Sequence, residues 1–347
     1  MRFLNLLLAA SLTLSPMVAT PALAAPPTSR VDTEAEVMTL LGDIVAWSAP
    51  LNQLMTDSNA LGLEMIDVVA QAMEPGRKGA EGRAWINGWL ARADSELARQ
   101  RAALAAVPPM SPDLDRRYRS LGPTAVRQVE GFQTLPSVVR GVIDDTDSLL
   151  NRLRPLLIKA ASGDTKAKLE IARHTLSGTR LAIRNENALL DLAIVMSNRP
   201  DHPQVALSKS AKASNEASML ALEYLERQLN GETPDPVAAG KAMQAKVALS
   251  RAEAANAWPN ARKIKAEIGG SLPAGPLKTS FNTALDTYEE SGQVETRIAD
   301  SLGAIADRLA SGNSVVDPDG DAWSAIEPLV ERRTAIQARR VSLFQQR

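Results

Sequence analysis

The amino-acid sequence predicts an all-α protein, an elongated antiparallel bundle of about eight helices. Helix-forming residues such as Ala, Leu, Arg and Glu fill segments that are far longer than any ordinary strand. Val, Ile and Thr form no alternating run of the kind that indicates a β-strand. Glycine and proline clusters divide the chain at seven places, and such short connections fold consecutive helices back on one another.

The first 24 residues have the pattern of a bacterial secretory signal peptide. Arg2 supplies a positive charge, and an apolar stretch follows it. Pro16 interrupts this stretch, which is therefore too short to span a bilayer as one helix. An Ala-x-Ala cleavage site ends at Ala24, so the expected mature chain begins at Ala25. We therefore expect export to the periplasm or out of the cell, with no transmembrane segment after cleavage.

The expected helical segments are 32–73, 80–106, 112–161, 164–198, 203–230, 234–268, 276–311 and 321–345. Several segments carry apolar residues seven positions apart, which is typical of helices that pack along a shared seam. Prolines within the segments are expected to kink or break them: Pro50, Pro136, Pro155 and Pro259. The helices are expected to form an N-terminal part, 25–200, and a C-terminal part, 201–347, or else one continuous domain.

Two later segments carry rows of small residues that we expect to face neighbouring helices, because small side chains allow the backbones to approach closely. The first row is Ser208, Ala211, Ser214 and Ser218, and the second is Ala245, Ala248, Ala252 and Ala255. These rows favour packing within the chain over an extended coiled-coil dimer.

Composition restricts the classes of partner. The formal net charge is −1 at pH 7, which gives no general attraction to nucleic acid. The chain contains no cysteine, so packing must stabilise the fold without disulfides. Aromatic residues make up only 3% of the chain, which argues against a sugar-binding cleft with stacked aromatic rings.

A band of polar residues recurs inside the apolar rows. Ser58 and Thr146 occupy seam positions, and Glu186 lies in an inner row. If these levels coincide in space, they form a polar middle layer that could bind a small polar or cationic ligand. The candidate ligand-binding residues are Ser58, Asn59, Thr146, Arg180, Arg184, Glu186 and Asn187. The favoured alternative is that polar core residues only fix helix register or face solvent.

Two short patterns are weak candidates for metal binding, and no cofactor is expected. Glu170 and His174 lie one turn apart on one helix face, although a solvated polar face is the favoured interpretation. The stretch that contains Asp317, Asp319 and Asp321 resembles the beginning of a calcium-binding loop. Its glycine falls at the wrong position and its final glutamate is missing, so we favour a turn in which Asp321 caps the last helix.

The last segment is amphipathic and basic, with Arg332, Arg333, Arg339, Arg340 and Arg347. Peripheral contact with a membrane surface or an acidic partner is one interpretation of this pattern. The favoured interpretation is that the helix docks on its own bundle and leaves its arginines solvated.

Three functional hypotheses remain open, because no catalytic or nucleotide-binding motif is evident in the sequence. The first is an exported non-enzymatic protein that acts through contacts with another protein or a component of the cell envelope. The second is a bundle that binds a small ligand at a polar site in its middle. The third is an enzyme of unfamiliar type, which would need converging carboxylates without help from histidine.

Overall fold

The computed structural model describes residues 34–73, 79–120, 123–197, 199–269, 274–313 and 321–343. Every regular element within these ranges is a helix, which confirms the all-α prediction. The expected signal peptide lies outside the described residues. None of the described helices is both long enough and apolar enough to cross a membrane.

The helices are α1 Glu34–Met73, α2 Gly79–Ala106, α3 Pro112–Arg119, α4 Pro123–Ala161, α5 Thr165–Ser197, α6 Pro203–Leu229, α7 Pro236–Gly269, α8 Pro276–Ala310, α9 Asp321–Ser324 and α10 Ile326–Ser342. Six of the eight expected segments agree with these bounds to within two residues. The prolines expected to kink or break helices lie inside α1, α4 and α7, and each helix continues through them.

Two expected segments are each divided into two helices. The segment 112–161 becomes α3 and α4, and α4 begins at Pro123, where a missing N–H interrupts no hydrogen bond within the helix. Proline also disfavours helical geometry in the residue before it. The segment 321–345 becomes α9 and α10, with Pro328 in the first turn of α10. Pro328 has no N–H to donate to Ser324, so it cannot continue the hydrogen bonding of α9.

Helix α5 is a shared wall between two hydrophobic clusters. Consecutive long helices pack from α4 to α8, α1 and α2 pack on α4, and α10 lies on α8. Ile171 of α5 joins the cluster formed mainly by α1, α2 and α4. Leu176 and Ile183 join the cluster formed with α6, α7, α8 and α10. Polar residues on different faces of α5 therefore lie in different surroundings.

One of the two small-residue rows faces inward. Ser208, Ala211 and Ser214 of α6 are buried, as their spacing predicted, and Ser218 at the end of the row is half-buried. The prediction for α7 was wrong, because its alanine row is exposed: Ala245, Ala248, Ala252 and Ala255. Helix α7 instead buries the face that carries Met243 and Val247, since larger apolar side chains remove more surface from water than alanine does.

Gly240 allows α7 to approach the end of α8. A Cβ atom at this position would overlap the backbone nitrogen of Ala310 and lie 2.6 Å from the Cα atom of Ala310. We expect Gly240→Ala to lower the free energy of unfolding by about 3 kcal/mol, because the helices would have to separate.

Gly88 in α2 is the matched control, since a Cβ there meets nothing within 4 Å. Gly88→Ala should raise stability by up to about 1 kcal/mol through helix propensity. Urea unfolding followed by circular dichroism measures both changes, and equal effects would contradict the close approach.

Candidate functional site

The polar band of α5 divides between two sides of the helix. Asn185 faces α4, where its amide donates a hydrogen bond to Asp145 with an N–O distance of 2.6 Å. Glu186 faces the other way and contacts Arg333 of α10. Consecutive residues of an α-helix point about 100° apart, so neighbours in sequence reach different helices. The polar residues therefore do not form one continuous layer.

Ser58 and Thr146 line a small cavity between α1, α4 and α5, with a volume of about 40 Å³. Ser58 donates a hydrogen bond to Gln100 of α2 at 2.6 Å. Thr146 donates to the carbonyl oxygen of Val142 at 2.9 Å. Because Asn185 and Asp145 also pair with each other, the polar side chains of this cavity have partners within the protein.

The remaining candidate residues take up separate positions. Arg180 forms an ion pair with Glu226 of α6, and Arg184 is exposed. The side chain of Asn187 accepts a hydrogen bond from Asn215 at 3.0 Å. The side chain of Asn59 lies outside the described residues.

A buried group of three charged side chains links α5, α8 and α10. Arg333 Nη2 lies 3.2 Å from Glu186 Oε1, and Arg333 Nη1 lies 3.5 Å from Glu295 Oε1. Glu186 and Glu295 are each 3% exposed, and Arg333 is 8% exposed. We call these three residues the charged triad. It places two carboxylates on one guanidinium in a region largely removed from water.

Burial dominates the electrostatics of the triad. It raises the pKa of Glu186 to about 7, even though the charge of Arg333 and the amide of Asn215 both lower it. Burial also raises the pKa of Glu295, and Arg333 again opposes this shift. Burial alone would lower the pKa of Arg333, but the two carboxylates outweigh it and raise the value. Arg333 therefore only partly compensates the carboxylates for their loss of hydration.

The triad lines a cavity of about 30 Å³ between four helices, which we call the triad cavity. Its wall consists of Glu186, Leu189 and Leu190 from α5, Gln204, Leu207 and Ser208 from α6, Ser291 and Glu295 from α8, and Arg333 and Gln337 from α10. Four buried polar atoms in this wall have no hydrogen-bond partner among the described residues: Glu186 Oε2, Glu295 Oε2, Arg333 Nε and Gln337 Oε1. Because buried polar groups are normally paired, this concentration of unpaired atoms makes the triad cavity the candidate site of the described residues.

One rim of the triad cavity is built around a second buried arginine. Arg340, 2% exposed, donates hydrogen bonds to Gln204, Thr287 and Ser291 at 3.2, 2.8 and 2.9 Å. Its guanidinium carbon lies 3.8 Å from the ring centre of Tyr288. These contacts hold Gln204 and Ser291 in position at the cavity wall. They also occupy all three guanidinium nitrogens of Arg340.

The N-terminus of α6 fixes the position of Gln204. His202 is the N-cap residue, and its Nδ1 accepts a hydrogen bond from the backbone N–H of Gln204 at 3.1 Å. Burial, together with the charges of Arg340 and Arg199, lowers the pKa of His202 to about 4. The imidazole is therefore neutral at physiological pH and can accept this hydrogen bond.

The last helix docks on the bundle, but its arginines are not all solvated as expected. Arg333 and Arg340 are buried, whereas Arg332 and Arg339 lie on the outer side and pair with Glu290 of α8. Arg333 and Arg340 are seven residues apart and share the inner row with Val330. Their seven-residue spacing could have indicated this inner position. Both were assigned to the surface because arginine is rarely buried.

Glu295 was also missed as a site residue, although it continues a buried row of α8. Ser291 precedes it by one turn, and Ile298 and Leu302 follow it on the same face. The position of its carboxylate in an inward-facing row was visible in the sequence, and the same argument had led to the selection of Glu186.

The weak metal candidates gain no further ligands in the described parts of the chain. Glu170 is exposed and His174 is half-buried. No group of three or more His, Cys, Asp or Glu side chains that could hold a metal ion occurs among the described residues. Asp317 and Asp319 lie outside these residues, as does the side chain of Asp321.

The fold and the site together define an all-α helical bundle with a partly open cavity, lined by buried charged side chains, beside α10. Comparison with known proteins finds no matching family model, no matching curated protein and no matching solved structure.

Proposed function

We propose that the protein is an exported helical bundle that binds a small polar ligand in the triad cavity. This is the second of the three hypotheses drawn from the sequence. Export rests on the signal-peptide pattern of residues 1–24. The observation that carries the binding site is the group of four unpaired buried polar atoms around the triad cavity.

The energetics of the unpaired atoms support binding. Leaving one buried polar group without a partner costs about 1 to 3 kcal/mol, and charged groups cost more. A polar ligand that pairs with these atoms would recover part of that cost. Gaps between the helices of a bundle are also a common place for ligand sites.

The size of the cavity favours binding over catalysis. Two carboxylates do converge here, as the enzyme hypothesis required, but each has one oxygen directed to Arg333. A single water molecule needs about 10 to 15 Å³ of comparable space. The triad cavity, at about 30 Å³, therefore has room for only a few heavy atoms. Contact with another protein or an envelope component stays a prediction from the sequence.

The proposal predicts a ligand-dependent rise in thermal stability. The purified protein would be screened with small cations, small carboxylates and neutral polar compounds at matched ionic strength. A compound that binds only the folded state must raise the melting temperature, by an amount that depends on its concentration. We expect at least one class to do so in the wild type and to lose its effect in Glu186→Gln.

Asn185→Ala is the matched control for this screen. Asn185 is next to Glu186 in sequence but faces Asp145 and the other cavity. The ligand-induced shift should therefore survive in this variant. A screen in which no class changes the melting temperature, or in which the two variants respond alike, would contradict binding at the triad cavity.

A further inference from the structure

We infer that the triad cavity binds the ammonium head group of a primary amine. The inference rests on the proposed function, because it assigns a ligand class to the same cavity. It follows from three properties of the cavity wall: its hydrogen-bonding groups, its charge and its size.

The unpaired atoms are mainly hydrogen-bond acceptors. Glu186 Oε2, Glu295 Oε2 and Gln337 Oε1 accept hydrogen bonds, whereas Arg333 Nε is the one donor in this group of four. A primary ammonium group carries three N–H donors and no acceptor. It matches the three oxygens in number and type. A carboxylate ligand would instead be repelled by the two carboxylates of the wall, and Arg333 Nε is the one unpaired donor that it could use.

The charge of the triad also favours a monovalent cation. When both carboxylates are ionised, Glu186 and Glu295 carry two negative charges and Arg333 carries one positive charge. Arg340 hydrogen-bonds to the neutral side chains of Gln204, Thr287 and Ser291 rather than to a carboxylate of the triad. The cation that lowers the pKa of each carboxylate is Arg333. An ammonium group would supply the missing positive charge.

The size of the cavity and its apolar wall fit the end of an amine. The volume of about 30 Å³ corresponds to roughly two water molecules, the size of a nitrogen atom with its first carbon. Leu189, Leu190 and Leu207 form an apolar side of the wall that suits this carbon. The cavity is partly open, so the rest of a longer amine can extend toward solvent.

Methylammonium chloride is the probe that tests this ligand class, and sodium chloride at equal ionic strength is the reference. We expect methylammonium to raise the melting temperature and to give a saturable calorimetric titration. Glu186→Gln and Glu295→Gln should each weaken binding at least about tenfold, since each removes a charged hydrogen bond. Asn185→Ala should bind as the wild type does. Tetramethylammonium, which has no N–H, should bind at least about tenfold more weakly than methylammonium.

Proton release provides a measurement that does not depend on protein stability. The titratable groups around the cavity are Glu186 of α5, His202 at the start of α6, Glu295 of α8, and Arg333 and Arg340 of α10. Burial raises the pKa of Glu186 to about 7, so a bound cation, which favours the ionised carboxylate, should displace a fraction of a proton from it at pH 7. Calorimetry in buffers of different ionisation enthalpy measures this release, which Glu186→Gln should greatly reduce.

The outcomes separate the ligand class from the proposed function. If small carboxylates or neutral diols bind and depend on Glu186 while methylammonium does not, the ammonium assignment is wrong and the binding function stands. Equal binding of tetramethylammonium and methylammonium would also overturn the assignment, and this comparison needs only the wild type. If no class binds, the proposed function itself fails.

Discussion

Arg333→Met is expected to lower the free energy of unfolding by about 3 to 5 kcal/mol at pH 7 to 8, the usual effect of removing one partner from a buried ion pair. The substitution keeps much of the side-chain volume but leaves Glu186 and Glu295 buried without the guanidinium that both contact. The loss should shrink toward pH 5, because protonation removes the unpaired charges. Urea unfolding followed by circular dichroism at several pH values measures this effect.

Arg332→Met is the matched control, since the neighbouring arginine is exposed and pairs with Glu290 at the surface. Exposed ion pairs contribute about 0 to 1 kcal/mol, so this variant should remain close to the wild type. Combining Arg333→Met with Glu186→Gln and Glu295→Gln should restore much of the lost stability, because no buried charge of the triad is left unpaired. Equal effects of Arg332→Met and Arg333→Met would show that the triad is not buried.

Glu186→Gln is expected to become more stable relative to the wild type as the pH rises from about 4.5 to about 7. The pKa of Glu186 is raised from 4.5 to about 7 in the folded protein, so the folded state binds more protons than the unfolded state in this range. The contribution of Glu186 to stability is therefore fully present below pH 4.5 and is lost as the pH rises through about 7. A shift of this size corresponds to a relative change of about 3 kcal/mol. Chemical unfolding of both proteins across this pH range measures the difference.

Glu290→Gln provides a control of opposite sign on α8. Hydrogen bonding to Arg339 is the largest cause of a lowered pKa at Glu290, and Arg332 lowers it further. The contribution of Glu290 is therefore present above its ordinary pKa and is lost as the pH falls. Glu290→Gln should lose stability relative to the wild type as the pH rises through the acidic range. Parallel pH profiles for the Glu186 and Glu290 variants would contradict the burial of Glu186.

Most helix bounds could be predicted from sequence because local chemistry determines them. The proline that begins α6 and the glycine and proline residues around its end have the same effect in any tertiary context. The two missed divisions, before Pro123 and before Pro328, were also local signals. They were overlooked because the segments were divided only at the seven glycine and proline clusters, and these two positions were not counted among them.

The buried face of a helix was predictable only where large apolar side chains marked it. The alanine row of α7 had the correct spacing, yet the helix buries the face with Met243 and Val247 instead. Alanine fits both a core and a surface, so its spacing does not determine orientation. The contact with neighbouring helices decides which side of such a helix is covered.

The helices, the lack of cysteine and the inner-row position of Glu186 could all be derived from the amino-acid sequence. The contact of Glu186 with Arg333, 147 residues further along the chain, and the sharing of Arg333 with Glu295 became visible only in the folded protein. Local patterns specify which face of a helix a residue occupies, because helical geometry repeats every 3.6 residues. They do not specify which distant helix covers that face. The pairing depends on how α5, α8 and α10 pack together, and this packing creates the triad cavity.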